Sequence, residues 1–163
     1  MGVSGARVHG VPGSFTLLRH AEAKPPRGRQ NDFDRVLSSR GEADARRLGD
    51  WLRAKSIQFD RVLCSPAVRT RSTLAIALPN WTTAAQLPPS LYLADLDALR
   101  ELLDAGGSAA HVLLIGHNPG LEQLAHWLCQ ETTPRALPTC GLLRICAEIG
   151  DDSHHALIDS WQP

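Results

Sequence analysis

The sequence predicts an α/β fold, a three-layer α/β/α sandwich whose central sheet is mostly parallel with an antiparallel edge. Three observations predict it. Short apolar runs of strand length alternate with segments of helical spacing from Phe15 to Cys129. The chain then closes on two apolar runs with no helical segment between them, which is the pattern of an antiparallel edge. The length of 163 residues suits one domain. A chain of this size buries about two thirds of its unfolded surface, so it needs no disulfide or metal staple. The expected organisation is a flexible N-terminal arm over residues 1–13 and a single domain over residues 14–163.

The elements follow in order. Phe15 to Leu18 is a short apolar run bounded by Ser14 and Arg19, and reads as a buried strand. "AEAKPPRGRQNDFD" carries Pro-Pro, Gly and Asn, so it reads as a loop, in which Asp32 and Asp34 either line a crevice or simply form a turn. Ala45, Leu48 and Leu52 fall at helical spacing in "SSRGEADARRLGDWLRAKS". Ser38 or Ser39 caps that helix, and Glu42 stands three residues after Ser39, the spacing of a capping box. Asp60 to Ser65 is a second strand, and Pro66 suits the first turn of the helix in "AVRTRSTLAIAL". "WTTAAQ" reads as a third strand. Leu96, Leu99 and Leu103 mark a helix that stops at Gly106-Gly107. "HVLLIGHN" is the clearest strand, followed by a helix with Leu121, Leu124, Ala125 and Leu128 on one face. "GLLRICAEI" and "HALIDSW" read as neighbouring strands joined by the "GDDSH" turn. The Trp residues at 51, 81, 127 and 161 read as core and edge packing.

Seventeen basic residues balance seventeen acidic ones. That argues against a general nucleic-acid or membrane-surface binder and leaves room for a local basic pocket. No apolar run approaches the ~18 to 20 residues of a membrane span. The N-terminal stretch has no apolar central region, and Ala6 stands where a myristoylation signal requires Ser or Thr. Cysteines at 64, 129, 140 and 146 form no C-x-x-C pair, so reduced thiols in a cytoplasmic protein are the expectation.

In open α/β sheets, ligands collect beyond the carboxyl ends of the strands. Three strand ends here carry unusual residues. One ends Arg19-His20. The second ends Ser65-Pro66, with Arg69 about one helical turn further on. The third ends Gly116-His117-Asn118, immediately before a helix. Taken singly, each reads as a polar strand end or a helix start. Taken together and in order, two arginines, two histidines and helix N-termini make an anion site, and phosphate suits Arg forks. Arg71, two residues after Arg69, should point away from it.

At these residues the chain resembles a known family. "LLRHAEA", "DFDRVLSSRGEADARRLGDWL", "RVLCSPAVRTRSTL", "LYLADLDALRELL", "VLLIGHNPGLEQLAHWL" and "LPTCGLLRI" resemble the histidine phosphatase superfamily, with its phosphoglycerate-mutase-like fold. The length and the "LPTCGLLRI" segment resemble its SixA-type phosphohistidine phosphatase branch. The resemblance spans roughly residues 15–161 and implies a hydrolase working through a phosphohistidine intermediate. It implies His20 as nucleophile through a neutral ring nitrogen, with Arg19, Arg69 and His117 on the phosphoryl oxygens. Asn118 joins them as a phosphate-binding candidate. No metal or other cofactor is implied. The implied substrate is a phosphorylated protein, such as a histidine phosphotransfer domain. A small phosphorylated molecule is the alternative. Larger family members use a Glu as general acid, and "LPPSLYLADLDALRE" has none at the equivalent early position. Glu22 and Asp95 are the candidates for an acid or a pocket rim. A phosphohistidine leaves as imidazole, which needs less help than an alkoxide.

Three other readings compete. "CQETTPR", Cys129 to Arg135, has the C-x5-R spacing of a cysteine-dependent phosphatase but no glycine, and it follows a helix. A metal hydrolase would draw on His111, His126, His154 and His155, which form no H-x-x-x-H set. A non-catalytic phosphate or phosphopeptide binder would keep the arginines and have no need of His20.

Overall fold

The computed structural model describes residues 13–105, 110–129, 136–147 and 155–163. Residues 1–12 of the expected arm, the 130–135 part of "CQETTPR" and the "GDDSH" turn lie outside the described residues. Among the described residues, five strands and four α-helices follow one another as β1 (Ser14–Arg19), α1 (Ser39–Ala54), β2 (Arg61–Cys64), α2 (Val68–Ala77), α3 (Leu96–Asp104), β3 (His111–Gly116), α4 (Gly120–Cys129), β4 (Leu142–Ala147) and β5 (His155–Trp161). The sheet order is β2-β3-β1-β4-β5. β1 and β2 run parallel to β3, while β4 runs antiparallel to both β1 and β5. This is the expected sandwich: a mostly parallel sheet with an antiparallel edge.

Alternation along each strand builds two cores. Phe15 and Leu17 of β1, Val112 and Leu114 of β3 and Leu63 of β2 face α3 and α4, where Leu99, Leu103, Leu121, Leu124 and Leu128 meet them. Leu18, Leu113, Ile115, Val62 and Cys64 face α1 and α2, against Ala45, Leu48, Leu52, Leu74 and Ala77. Each such Leu removed from water contributes about 1.5–3 kcal/mol. The site depends on the register these cores impose. Arg19 pairs with Gly116, and both Leu18 and Cys64 pair with Ile115, so β1, β2 and β3 end at one level. His20 then follows β1, Ser65 follows β2 and His117 follows β3.

Three expectations are corrected. "WTTAAQ" is no strand: Pro79–Trp81 form a 3-10 turn, and only Gln86 bridges Leu63 of β2. Thr82 and Thr83 suit a strand, but Pro79 starts a helical turn. Pro88 and Pro89 donate nothing to a ladder beyond Gln86. Ser38 caps α1, accepting from Gly41 N at 3.0 Å, and Glu42 pairs with Arg46 instead of closing a capping box. Trp127 lies on the surface at 46% exposure, with the Arg100 guanidinium 4.6 Å above its ring.

Gly41 sets the approach of α1 to the end of β1. A Cβ there would lie 2.1 Å from the Glu22 carbonyl oxygen, so only glycine lets the first turn of α1 come this close. Ser38 N in turn donates to that same carbonyl at 2.9 Å.

Candidate active site

β1 delivers His20 between two neighbours. Its N–H donates to Gly116 O at 3.2 Å, and its carbonyl accepts from Cys140 N at 3.0 Å. The side chain is 9% exposed. Nδ1 donates to the carbonyl of Ala21 at 2.8 Å, so the proton sits on Nδ1 and Nε2 keeps its lone pair. Nε2 accepts from Arg69 Nε at 3.3 Å. Burial, with the cations Arg69, Arg19 and Arg35 nearby, pushes the His20 pKa down to about 4. The ring is neutral near pH 7, as a nitrogen nucleophile must be.

Arg69 comes from the first turn of α2 and is 2% exposed. Its Nη2 lies 3.3 Å from His117 Nδ1, so the Nε/Nη2 edge of the guanidinium faces both histidines. The opposite edge is gripped by one residue. Nη1 donates to the Asp32 carbonyl at 2.7 Å, and Nη2 donates to Asp32 Oδ2 at 3.0 Å. Asp32 Oδ2 also accepts from the Tyr92 hydroxyl at 2.8 Å, and Oδ1 accepts from Arg35 Nη1 at 3.0 Å. Led by the Tyr92 hydroxyl, these donors hold the Asp32 carboxyl down at about 2.

His117 follows β3 and is 4% exposed. Its Nδ1 accepts from Arg69, and its Nε2 stands 2.7 Å from Ser65 Oγ, so Nε2 carries the proton and donates to the hydroxyl. Burial, then the neighbouring His20 and Arg69, pushes its pKa to about 3. The His20 and His117 ring centroids lie 5.3 Å apart, and the Tyr92 ring meets His117 edge-on at 5.6 Å.

Arg19 is half-buried, and Nη1 donates to Leu137 O at 2.9 Å. Its Nε is buried and meets no acceptor among the described residues. A cation with an unpaired donor beside a second arginine suits an anion that brings its own oxygens. Burial lowers the Arg19 pKa.

The structure therefore brings four of the expected site residues, Arg19, His20, Arg69 and His117, to one level of the sheet. The other three are placed differently. Both amide hydrogens of Asn118 are taken, by Glu122 Oε1 at 2.7 Å and Leu137 O at 2.9 Å, so it holds the loop before β4 and has no donor left for phosphate. Glu22 Oε1 accepts from Ser38 Oγ at 2.6 Å and braces the cap of α1. Asp95 is the N-cap of α3, accepting from Ala98 N at 3.0 Å. Each carboxylate thus has one oxygen committed to a helix cap. The sequence left Asp32 between a crevice lining and a plain turn, and it assigned no role to Arg35 or Tyr92. Only the acidic "NDFDR" run inside the resembling segment marked the first two. Arg71 is exposed, as expected.

The competing chemistries find less support in the geometry. Burial pushes the Cys129 thiol up to about 11, so it is no ready thiolate. His111 Nε2 contacts Thr16 Oγ1 at 2.8 Å. No group of three or more His, Cys, Asp and Glu that could hold a metal gathers among the described residues. No helix among them is long and apolar enough to cross a membrane.

A sheet whose level strand ends present an Arg-His pair to a second Arg and a second His places the chain among α/β proteins of the phosphoglycerate-mutase-like architecture. It belongs to the histidine phosphatase superfamily (branch 1), which matches residues 15–102, and so to a family of phosphatase-type hydrolases. A relative in Escherichia coli K12, the phosphohistidine phosphatase SixA, is 28% identical over 136 residues, covering 79% of this chain and 82% of its own. An uncharacterised protein of Mycobacterium tuberculosis H37Rv is 37% identical over 109 residues, covering 66% of this chain and 67% of its own. A crystal structure from Agrobacterium tumefaciens, named as phosphohistidine phosphatase SixA, superposes with TM-score 0.82 at 28% identity, covering 93% of this chain and 99% of that one. A protein histidine phosphatase SixA complexed with tungstate superposes with TM-score 0.73 at 25% identity, covering 90% and 95%.

Proposed function

We propose that this protein hydrolyses a phosphoryl group through a phosphohistidine intermediate on Nε2 of His20, and that its substrate is phosphohistidine on another protein. The observation that carries the reading is the Nδ1 contact of His20 with Ala21 O, which leaves the Nε2 lone pair on the guanidinium edge of Arg69. Phosphorus is attacked by Nε2 and its bond to the leaving group breaks. Water then attacks the phosphoenzyme and releases inorganic phosphate. Arg19 and Arg69 hold the phosphoryl oxygens, where positive charge and donors matter most in the transition state, and His117, neutral and donating to Ser65, orients Arg69 through its Nδ1. Tungstate, a tetrahedral oxyanion, sits in the complex of the SixA-type relative, which supports an oxyanion seat here.

The cap roles of Glu22 and Asp95 support the substrate class. Glu22 and Asp95 have structural partners, so an alkoxide would leave without help from either. Imidazole does not require that help. The reaction as drawn takes no metal.

The test is to offer the protein labelled phosphohistidine on a phosphotransfer domain, beside a panel of phosphoesters, in the presence of a chelator. An acid-labile, base-stable phosphoenzyme should form and turn over, and His20→Ala should abolish both. Full activity in His20→Ala would overturn the reading, and turnover confined to phosphoesters would overturn the substrate class.

A further inference from the structure

We infer that Asp32 selects the leaving group: its carboxylate receives the ring N–H of a departing imidazole and thereby favours phosphorylated nitrogen over phosphate esters. The inference rests on the phosphohistidine reading above and deepens it.

The placement is the argument. Along the guanidinium of Arg69, His20 Nε2 lies at Nε, His117 Nδ1 lies at Nη2, and Asp32 Oδ2 lies beyond Nη2 on the far edge. A phosphoryl group attacked by His20 Nε2 must lose its leaving group on the side away from that nitrogen. Asp32 stands at that end of the arginine. Its carboxylate is 44% exposed, while the guanidinium it grips is 3% exposed, so it forms the outer lip of the seat.

An anion there is a liability for binding a phosphate dianion as such. Three fixed donors, from Tyr92, Arg35 and Arg69, nevertheless hold it in its charged form. The charge is useful if the group still bonded to phosphorus is cationic. A phosphoimidazole whose distal nitrogen carries a proton departs as neutral imidazole, the leaving nitrogen taking the electron pair of the P–N bond. His20 enters neutral with Nδ1–H and becomes a phosphoimidazolium whose Nδ1–H stays on Ala21 O. Protons and charge balance with no proton leaving or reaching Asp32, which acts as a hydrogen-bond acceptor and counter-charge. An aryl phosphate leaves as a phenolate and gains nothing from a carboxylate at that place. Differential recognition of the two leaving groups in the transition state is specificity in the kinetic sense.

The experiment measures kcat/KM for N-phosphoimidazole and for p-nitrophenyl phosphate in the wild type and in Asp32→Asn. Asp32→Ser is the second variant. Both keep the main-chain carbonyl that holds Arg69 Nη1. The ratio of the two kcat/KM values should fall tenfold or more in both variants, with folding checked by thermal melts. A smaller fall overturns the inference. This includes the case where both substrates lose rate together, which would leave Asp32 as a positioning residue for Arg69. A wild type without activity on N-phosphoimidazole also overturns it. A labelled His20 phosphoenzyme trapped during turnover of p-nitrophenyl phosphate would, even then, leave the covalent mechanism standing.

Discussion

Replacing Arg69 by Lys keeps the charge and removes the fork, so it separates geometry from electrostatics. The guanidinium makes four contacts at once: His20 Nε2, His117 Nδ1, Asp32 O and Asp32 Oδ2. An ammonium offers three donors on one atom and cannot span the two histidines while staying on Asp32. A phosphoryl group seated against the Nε/Nη2 edge would lose at least one of two parallel donors. Loss of one preorganised donor to a developing oxyanion costs about 10²–10³ in kcat, roughly 2.7–4 kcal/mol. The expected loss for Arg69→Lys is therefore about a hundredfold or more in kcat/KM. Because Arg69 is buried, a melt must show separately whether the frame survives, with Asp32 still held by Arg35 and Tyr92. The assay is steady-state turnover of p-nitrophenyl phosphate together with the burst of labelled phosphoenzyme, beside a thermal melt. If Arg69→Lys melts with the wild type and keeps kcat/KM within about threefold, the fork carries no catalytic weight and the argument from the guanidinium edge is wrong.

Two further predictions concern the frame around the site. Both histidines hold pKa values below the ordinary 6.5, His20 at about 4 and His117 at about 3, so the unfolded chain binds more protons than the folded one between those limits. Their contribution is fully present above about pH 6.5 and is lost as pH falls through 4 and 3; for His20 it amounts to about 3 kcal/mol at ~1.4 kcal/mol per tenfold change in proton affinity. Urea unfolding from pH 7 to 4 should therefore show a shallower loss of stability in His117→Gln than in the wild type, and parallel slopes would refute the neutral, buried pair. Gly41→Ala should lower the melting temperature by several degrees, although Ala ordinarily favours a helix, because the added Cβ meets the Glu22 carbonyl at 2.1 Å and overpacking costs about 1–3 kcal/mol. An unchanged or raised melting temperature would show that α1 does not need this approach.

Much of the frame was legible in the sequence because it rests on short-range patterns. The apolar runs of β1, β2 and β3 end in residues that a strand end rarely needs, and their order along the chain matched their convergence in space. The loop from Ala23 to Leu37 has no periodicity, so nothing local announced that Asp32 reaches an arginine 37 positions away and a tyrosine 60 positions away. Aspartate is a common turn former, and the turn reading was correct as far as it went, since Asp32–Asp34 is a 3-10 turn capped by Asn31. Glu22 and Asp95 illustrate the reverse difficulty. Both lie close to the site along the chain, yet each is taken up by a helix cap, and the cap of α1 depends on a serine 16 positions away from Glu22. The strand expected at "WTTAAQ" does not form because Pro79 opens a helical turn that takes in Trp81, and Pro88 and Pro89 stop any ladder beyond Gln86.

The misplacement of Asn118 has a reason that the alternation of the strands contains. Odd-numbered residues of β1, Phe15 and Leu17, face α3 and α4, while Leu18 faces α1 and α2. Continued past the strand, that parity sends Arg19 toward α4 and His20 toward α2. Their partners agree: Arg19 reaches the carbonyl of Leu137, which packs in the core under α3 and α4, and His20 meets Arg69 of α2. In β3 the parity is inverted, since Leu113 and Ile115 face α1 and α2 while Val112 and Leu114 face the other layer. His117 accordingly joins Arg69, and Asn118 joins Glu122 of α4 and the same Leu137 carbonyl that holds Arg19. Two adjacent residues at each strand end thus divide between the layers. The histidines meet on the side that carries Arg69, and Arg19 is braced from the other side by the loop that Asn118 and Glu122 hold. A slip of one residue in the pairing of β1 with β3 would exchange His20 and Arg19 across the sheet. The apolar alternation that stabilises the fold is the same constraint that sets the nucleophile against its arginine.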